Sequence, residues 1–423
     1  MEEDKKLHLK HIELYVIGFI IAIAVAVIAF TYGCKYSGAL DPGYYEIEIV
    51  ASEEVPGYAK DFTYVCYFDG SSREISDLQN TYKQLYCSEL MNLYACLDDE
   101  NEYTHYKSIA VINNHPNEEV EVSSLTYEVL TDAYQKTSEN ENYSVFAGPL
   151  YSFWEEQMST VRKSEQIEND PINNIENATY LAKVATYVAS KDHVDLKFLG
   201  NNKVKLVVSD EYVNYLKENK REASFVSLNI LKNSYIIERL SDYLNTNNLD
   251  RGIVYTDDGL LSQHKRLDKA QNYAFYTLLK QEDKRYVTNI ASITGYLPSS
   301  ASCFRNFQVN SDYVNRYYDF EKDGVIYYRS LNINIKTGIP TNYLLSSSIY
   351  SKSVSLLSNS LINNELSRFS SIGEIRTYVN GKGYQDLMLV VDVNLDDNSL
   401  YITDGIKNNI SLLKELEYNL IKI

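Results

Sequence analysis

The sequence is poor in the residues that build metal centres and crosslinks. It carries 5 cysteines and 6 histidines in 423 residues, and no two cysteines form a Cys-x-x-Cys pair. No histidine is spaced to complete a zinc set with Cys66, Cys87, Cys96 or Cys303, which excludes an encoded zinc finger or ribbon. Cys87 and Cys96 share one periodic helical stretch, where a rise of ~1.5 Å per residue sets them well beyond the ~4.4–6.8 Å that a disulfide spans. Buried thiols are expected. Asp396-Asp397 lacks the Gly and Glu that a calcium loop of the EF-hand type requires. Basic charge is scarce as well: 40 Lys+Arg stand against 58 Asp+Glu, for a net charge of -18, and no basic stripe alternates with aromatics. Nucleic acid is excluded as a partner on that ground.

What the chain does have is apolar mass and tyrosine. Hydrophobic residues make up 44% of it, enough to bury a substantial core in one large or two ordinary domains. The 39 tyrosines and many asparagines read first as the signature of an AT-rich genome. Residues 14–34 are an uncharged run, and at ~1.5 Å per residue such a run crosses a hydrocarbon core of ~30 Å. A cleaved signal peptide has a shorter apolar stretch and a small-x-small exit, whereas Tyr32 stands near this exit. Thr31-Tyr32-Gly33-Cys34 is a poor match to a lipoprotein cleavage site. Lys5, Lys6 and Lys10 precede the run and only Lys35 follows closely, so the positive-inside rule keeps 1–13 cytoplasmic. Residues 35–60 then read as a linker with a first strand, and 61–423 as one extracytoplasmic domain anchored to the cell membrane by a single pass.

Within that domain the alternation of Phe62 to Phe68 predicts a strand. Ser76 is a plausible cap for a helix over Asp77 to Leu97, with Leu78, Tyr82, Leu85, Tyr86, Met91 and Tyr94 as its core stripe. Helices are also expected at Ser124 to Ser138, Ala178 to Ala189 and Asp210 to Asn219. Gly200-Asn201-Asn202 predicts a hairpin turn inside Val194 to Val208. Ile253 to Thr256, Tyr273 to Lys280 and Tyr286 to Tyr296 read as strands, and Asp386 to Thr403 as a hairpin.

The stretch from Val309 to Ser360 carries a more specific pattern. Ser311-Asp312-Tyr313 is followed by Arg316-Tyr317-Tyr318, a strand-like Val325 to Tyr328, then Lys336-Thr337-Gly338-Ile339-Pro340 and a Ser-rich segment. Phe146 to Trp154, which contains the only tryptophan, and Ser227 to Tyr235 around Lys232 precede it. In order and spacing these blocks resemble the ApbE-like FAD:protein FMN transferases, from Phe62 to the C-terminus. The resemblance implies an α+β fold of mainly antiparallel sheets with flanking helices. It also implies FAD as substrate, Mg²⁺ as metal, and a Thr or Ser hydroxyl of a partner protein as acceptor. It makes Lys232, Ser311, Asp312, Tyr313, Thr337 and Gly338 the flavin-binding candidates.

The sequence departs from that family at its chemical positions. Ser330 and Leu331 stand where the family has histidines, Asn334 and Ile335 where it has Asp-Pro, and Ser355 and Asn359 at the metal-ligand positions. Leu228 and Asn233 replace glycines of the nucleotide turn, and Asp257-Asp258-Gly259 replaces a Gly-Gly pair. Two carboxylates there would repel a pyrophosphate unless a cation intervened. Three readings remain open. The first is a catalytically silent homologue that acts as a binding or scaffold protein near flavinylated redox proteins, with no resident cofactor. The second is an active divergent transferase that recruits Asp257, Asp258 or Asp312 for its metal. The third is a cell-surface carbohydrate-binding protein, which needs an exposed row of tyrosines.

Overall fold

The computed structural model describes residues 40–58, 60–160, 162–221, 224–257, 259–264, 271–281, 284–295, 297–309, 316–383, 386–394, 398–409 and 419–423. The apolar run 14–34 lies outside the described residues; among those that are described, no helix is long and apolar enough to cross a membrane. Strands β1 (Gly43–Ile47) and β2 (Phe62–Phe68) lead into α1 (Ser72–Cys96), α2 (Ile109–Asn114), β3 (Glu119–Glu121) and α3 (Ser124–Glu139). Next come α4 (Gly148–Ser159), α5 (Lys163–Asn169) and α6 (Ile175–Val188), the hairpin β4 (Val194–Gly200) and β5 (Lys203–Val208), α7 (Asp210–Glu218) and α8 (Lys232–Thr246). A strand-rich region follows with β6 (Gly252–Thr256), β7 (Leu261–Gln263), β8 (Gln271–Gln281), β9 (Lys284–Gly295) and β10 (Ser299–Arg305). It continues through β11 (Tyr318–Lys322), β12 (Val325–Arg329), β13 (Ile333–Asn334), β14 (Ile339–Pro340) and β15 (Leu344–Ser351). Helices α9 (Leu356–Leu366) and α10 (Ile372–Lys382) precede β16 (Met388–Val393), β17 (Ser399–Ile402) and β18 (Asn419–Lys422).

The main sheet runs β1-β2-β6-β7-β10-β15-β16-β17-β18. Its central pairs are antiparallel, and β17 with β18 is parallel, so the α+β architecture of mainly antiparallel sheets is as the sequence led us to expect. Every residue of β15 is buried, because Ile349 joins one apolar cluster while its neighbour Tyr350 joins the other. A strand covered on both faces needs no polar alternation. The contacts divide the chain into a small unit, whose described residues are 40–45 and 67–82, and a large one of Glu46–Cys66 with Lys83–Ile423. In the small unit Phe68 packs on Tyr45 and Tyr82, with ring centroids 6.0 and 4.9 Å apart.

Helix α1 begins five residues before the expected Asp77. Its start is fixed by a reciprocal cap: Ser71 donates from N and Oγ to Glu74 Oε2 at 2.8 and 2.7 Å, and Glu74 N donates back to Ser71 Oγ. Leu78 is exposed, whereas Tyr82 and Tyr86 are buried as expected, on a stripe that also takes in Ile75, Leu90 and Leu93. The described cysteines are buried free thiols. Asn201 and Asn202 take the positive φ that a tight hairpin needs, +50° and +57°.

The asparagines do more than mark a genome. Asn359, Asn363 and Asn364 of α9 are fully buried, and Asn363 Nδ2 donates to Ser302 Oγ on β10 at 2.6 Å. Asn142, also fully buried, donates to the Ile333 and Asn364 carbonyls at 3.0 and 2.7 Å and accepts from Ile335 N at 3.0 Å. Such amides supply donors and acceptors together, so one side chain closes several backbone demands.

One core group ties the fold to pH. His264 is buried against the Tyr64 ring, its Nε2 has no hydrogen-bond partner, and burial pushes its pKa down to about 4 despite the field of Asp250. Below its ordinary range the unfolded chain takes up a proton that the folded chain refuses. Stability is therefore full above pH ~6.5 and falls as pH drops toward ~4, by on the order of 3 kcal/mol. In urea titrations across that window, His264→Gln should lose less stability than the parent; equal slopes would mean that His264 takes up its proton in the fold.

Candidate functional site

Helix α4 divides the work of the site between its two sides. Pro149 sits in its first turn, where a missing N–H is harmless, and Gly148 lets the helix start pack against the backbone of Ser224. Tyr151, Glu155 and Met158 recur at helical spacing and line a cleft of about 380 Å³. On the other side Trp154, fully buried, donates its indole N–H to the Gly338 carbonyl at 2.7 Å. Gly338 takes φ +71°, and a Cβ there would meet Leu150 Cδ2 at 2.9 Å.

The cleft's remaining walls come from distant parts of the chain. The turn before α8 and its first residues bring Asn229, Ile230, Lys232 and Asn233; β10 ends in Cys303, Phe304 and Arg305; and Arg316, Tyr317, Ser330, Leu331 and Asn332 close it. Lys232 Nζ lies 4.5 Å from the Tyr94 ring centroid. Arg305 Nη2 donates to the Asp257 carbonyl at 3.5 Å, and Arg316 Nη2 pairs with Asp61 at 3.2 Å. Ser330 is held by Asn306: its hydroxyl donates to Asn306 Oδ1 and accepts from Asn332 N at 3.0 Å. Immediately before it, Arg329 makes a buried two-pronged pair with Asp170, 2.7 Å from Nε and 3.1 Å from Nη2. Tyr318 Oη also donates to Asp170, at 2.8 Å.

A second cavity of about 200 Å³ shares Tyr151, Glu155, Asn229 and Lys232 with the cleft and adds Asp98, Asp99 and Glu100. The Glu155 carboxyl keeps accessible surface but sits in a concave wall. Loss of solvent there, then the like charges of Asp99 and Glu100, raise its pKa to about 7, against the opposing field of Lys232. Burial likewise raises Asp99. Asp98 goes the other way: the Lys232 charge, hydrogen bonds from Tyr103 and the backbone outweigh its burial.

No family model and no curated protein matches the chain. Solved structures do. The ApbE protein of Thermotoga maritima aligns over 83% of this chain and 94% of its own, at 14% identity and a TM-score of 0.51. The flavin transferase ApbE of Vibrio cholerae aligns over 87% and 99%, at 14% identity and a TM-score of 0.53. A histidine-to-glycine variant of the Vibrio cholerae protein aligns over 88% and 100%, at 15% identity and 0.52. The chain has the ApbE flavin-transferase fold.

On this ApbE-like fold the candidates from the sequence fall in different places. Lys232 lines the cleft, as do Ser330, Leu331 and Asn233. Thr337 and Gly338 do not; Thr337 is exposed and accepts from Ile339 N at 3.3 Å, and Gly338 packs beneath α4. Ser311, Asp312, Tyr313 and Asp258 lie outside the described residues. The reading from sequence did not pick out Glu155, Asp99, Arg305 or Arg316 as site residues. Glu155 had a signal, its helical register with Tyr151 and Met158, while nothing in the sequence joins Arg305 to Lys232.

The positions that the resemblance assigns to metal ligands, Ser355 and Asn359, hold a donor set that does not suit Mg²⁺. Ser355 is exposed and caps α9, accepting from Ser358 N at 3.2 Å. Asn359 commits its amide N–H to Ser300 Oγ at 2.8 Å, which leaves one neutral orphan oxygen. Nearby, Glu238 spends Oε1 on Leu357 N at 2.8 Å. Among the described residues no group of three or more His, Cys, Asp or Glu side chains could hold a metal ion. Mg²⁺ prefers anionic oxygen in near-octahedral array, and these residues do not provide it.

Proposed function

We propose that the protein is a membrane-anchored, extracytoplasmic relative of the flavin transferases that binds a flavin nucleotide in the Lys232 cleft without transferring it, and works as a binding partner near flavinylated redox proteins. The observation that carries this reading is the pairing of an intact cleft with spent chemistry. Moving FMN from FAD to a hydroxyl needs neutralised charge at the diphosphate and a base for the acceptor proton. At the histidine positions stand Leu331, which has no proton chemistry, and Ser330, whose hydroxyl is already engaged by Asn306 and Asn332. The anchor in this proposal is the uncharged run 14–34, and a redox partner is proposed by analogy with the flavin transferases that share the fold.

One observation favours the active reading. Glu155, with a pKa of about 7, is poised as a general base at the cleft's edge. The two separate in one assay: full-length chain incubated with FAD, Mg²⁺ and a Thr- or Ser-bearing acceptor protein, read by AMP release. We expect release no faster than the blank. Release that disappears in Glu155→Gln would establish a transferase and end the silent reading. The carbohydrate reading has little to stand on, since Tyr286 is the one exposed tyrosine among those whose side chains are described.

A further inference from the structure

The cleft is lined by cations from three separate elements: Lys232 at the start of α8, Arg305 at the end of β10, and Arg316 before β11. Among the described residues that line it, Glu155 is the only carboxylate. We infer that this cleft holds the diphosphate of its nucleotide on the side-chain cations Lys232, Arg305 and Arg316, with no divalent metal. The inference rests on the flavin-nucleotide reading of the cleft and deepens it.

The geometry supports it in three ways. Both arginines are held in place, Arg305 on the Asp257 carbonyl at 3.5 Å and Arg316 on the Asp61 carboxylate at 3.2 Å, so little rotamer freedom is lost when an anion arrives. Asp61 offsets part of the Arg316 charge, and the acidic residues of the adjoining cavity part of that of Lys232, so the diphosphate would be gripped by directed hydrogen bonds more than by net charge. Guanidinium groups also present paired N–H donors that match phosphate oxygens, where lysine acts as a point charge. Finally, Arg305 is tied to the backbone of Asp257, in the turn that the resemblance aligns with a glycine pair of the family. The neutral set at Ser355 and Asn359 leaves Mg²⁺ no comparable seat.

The test is calorimetric titration of the full-length chain with FAD, ADP and riboflavin, each in EDTA and in Mg²⁺. Expected are FAD and ADP affinities that do not change between the two buffers. Arg305→Gln and Arg316→Gln should each weaken both by ~10-fold or more, the usual cost of one charge-assisted hydrogen bond, and leave riboflavin unchanged. Arg305→Lys should recover part of the loss, and matching unfolding midpoints would show that the variants are folded. FAD binding that requires Mg²⁺, or folded variants with parental affinity, overturns the inference and spares the flavin reading. Metal-free ADP binding with neither FAD nor riboflavin overturns the flavin reading and spares the inference. No binding of FAD or ADP overturns both.

Discussion

Asp170→Ala is expected to lower the unfolding free energy by about 3–5 kcal/mol, because it strands the buried Arg329 guanidinium without its counter-ion. The side chains of the pair are 3% and 0% exposed, so water cannot take over the lost contacts. What remains around Arg329 is one carbonyl, that of Tyr328 at 3.3 Å from Nη1, and aromatic rings: the Tyr327, Phe320 and Trp154 centroids lie 5.2, 5.6 and 5.9 Å away. Those faces attract a cation but accept none of its directed hydrogen bonds. Tyr318 also loses the acceptor of its hydroxyl. Replacing both partners by apolar residues, Asp170→Leu with Arg329→Met, should restore most of the loss, since desolvation of the charges disappears with them. Urea unfolding of the two variants and the parent gives the numbers. If the single and double variants are equally unstable, shape and not charge holds the β11–β12 hairpin in place. The consequence reaches the cleft, because Ser330, Leu331 and Asn332 follow Arg329 directly. Asp170→Ala should therefore weaken FAD binding although Asp170 itself does not line the cleft.

The fold was legible where one local rule sufficed. The alternation of β2 and the Asn-Asn turn of the β4–β5 hairpin each specify an element within a few residues. The start of α1 shows the limit: both Ser71 and Ser76 are chemically able to cap, and the choice falls to Ser71 because Glu74 reaches back to it. Leu78 was lost to phase, since a residue can sit at helical spacing from its neighbours and still point off the face that the fold buries. Of the residues that line the cleft, Lys232 was singled out in the sequence through its resemblance to a nucleotide turn. Arg305 and Arg316 were not, because β10 and the segment before β11 meet α8 only through the tertiary fold. The buried amides were also hidden. An asparagine in a biased composition looks like any other, and only burial shows that Asn142 and Asn363 are structural.

Gly148→Ala should cost about 1–3 kcal/mol or somewhat more, the range for forcing an extra methyl into packed protein. A Cβ at Gly148 would collide with the Ser224 carbonyl oxygen and lie 3.0 Å from its carbonyl carbon, and backbone cannot swing aside as a side-chain tip can. The neighbouring ties resist the shift: Ser227 N donates to the Val145 carbonyl at 2.9 Å, Ser224 Oγ to the Asp99 carbonyl at 2.7 Å, and Val226 N to Asn113 Oδ1 at 2.9 Å. Something in that set must give. The segment from Ser224 runs into Asn229 and Lys232, so the strain passes to the cleft, and FAD affinity should fall together with stability. Gly381→Ala is the matched control. It lies in α10 with open space around its missing Cβ, and alanine there should be neutral or stabilising by up to ~1 kcal/mol. Thermal unfolding and FAD titration of both variants decide the point. Gly148→Ala at parental stability would mean that α4 can slide from Ser224, and the cleft would then owe its shape to the Trp154 anchor alone.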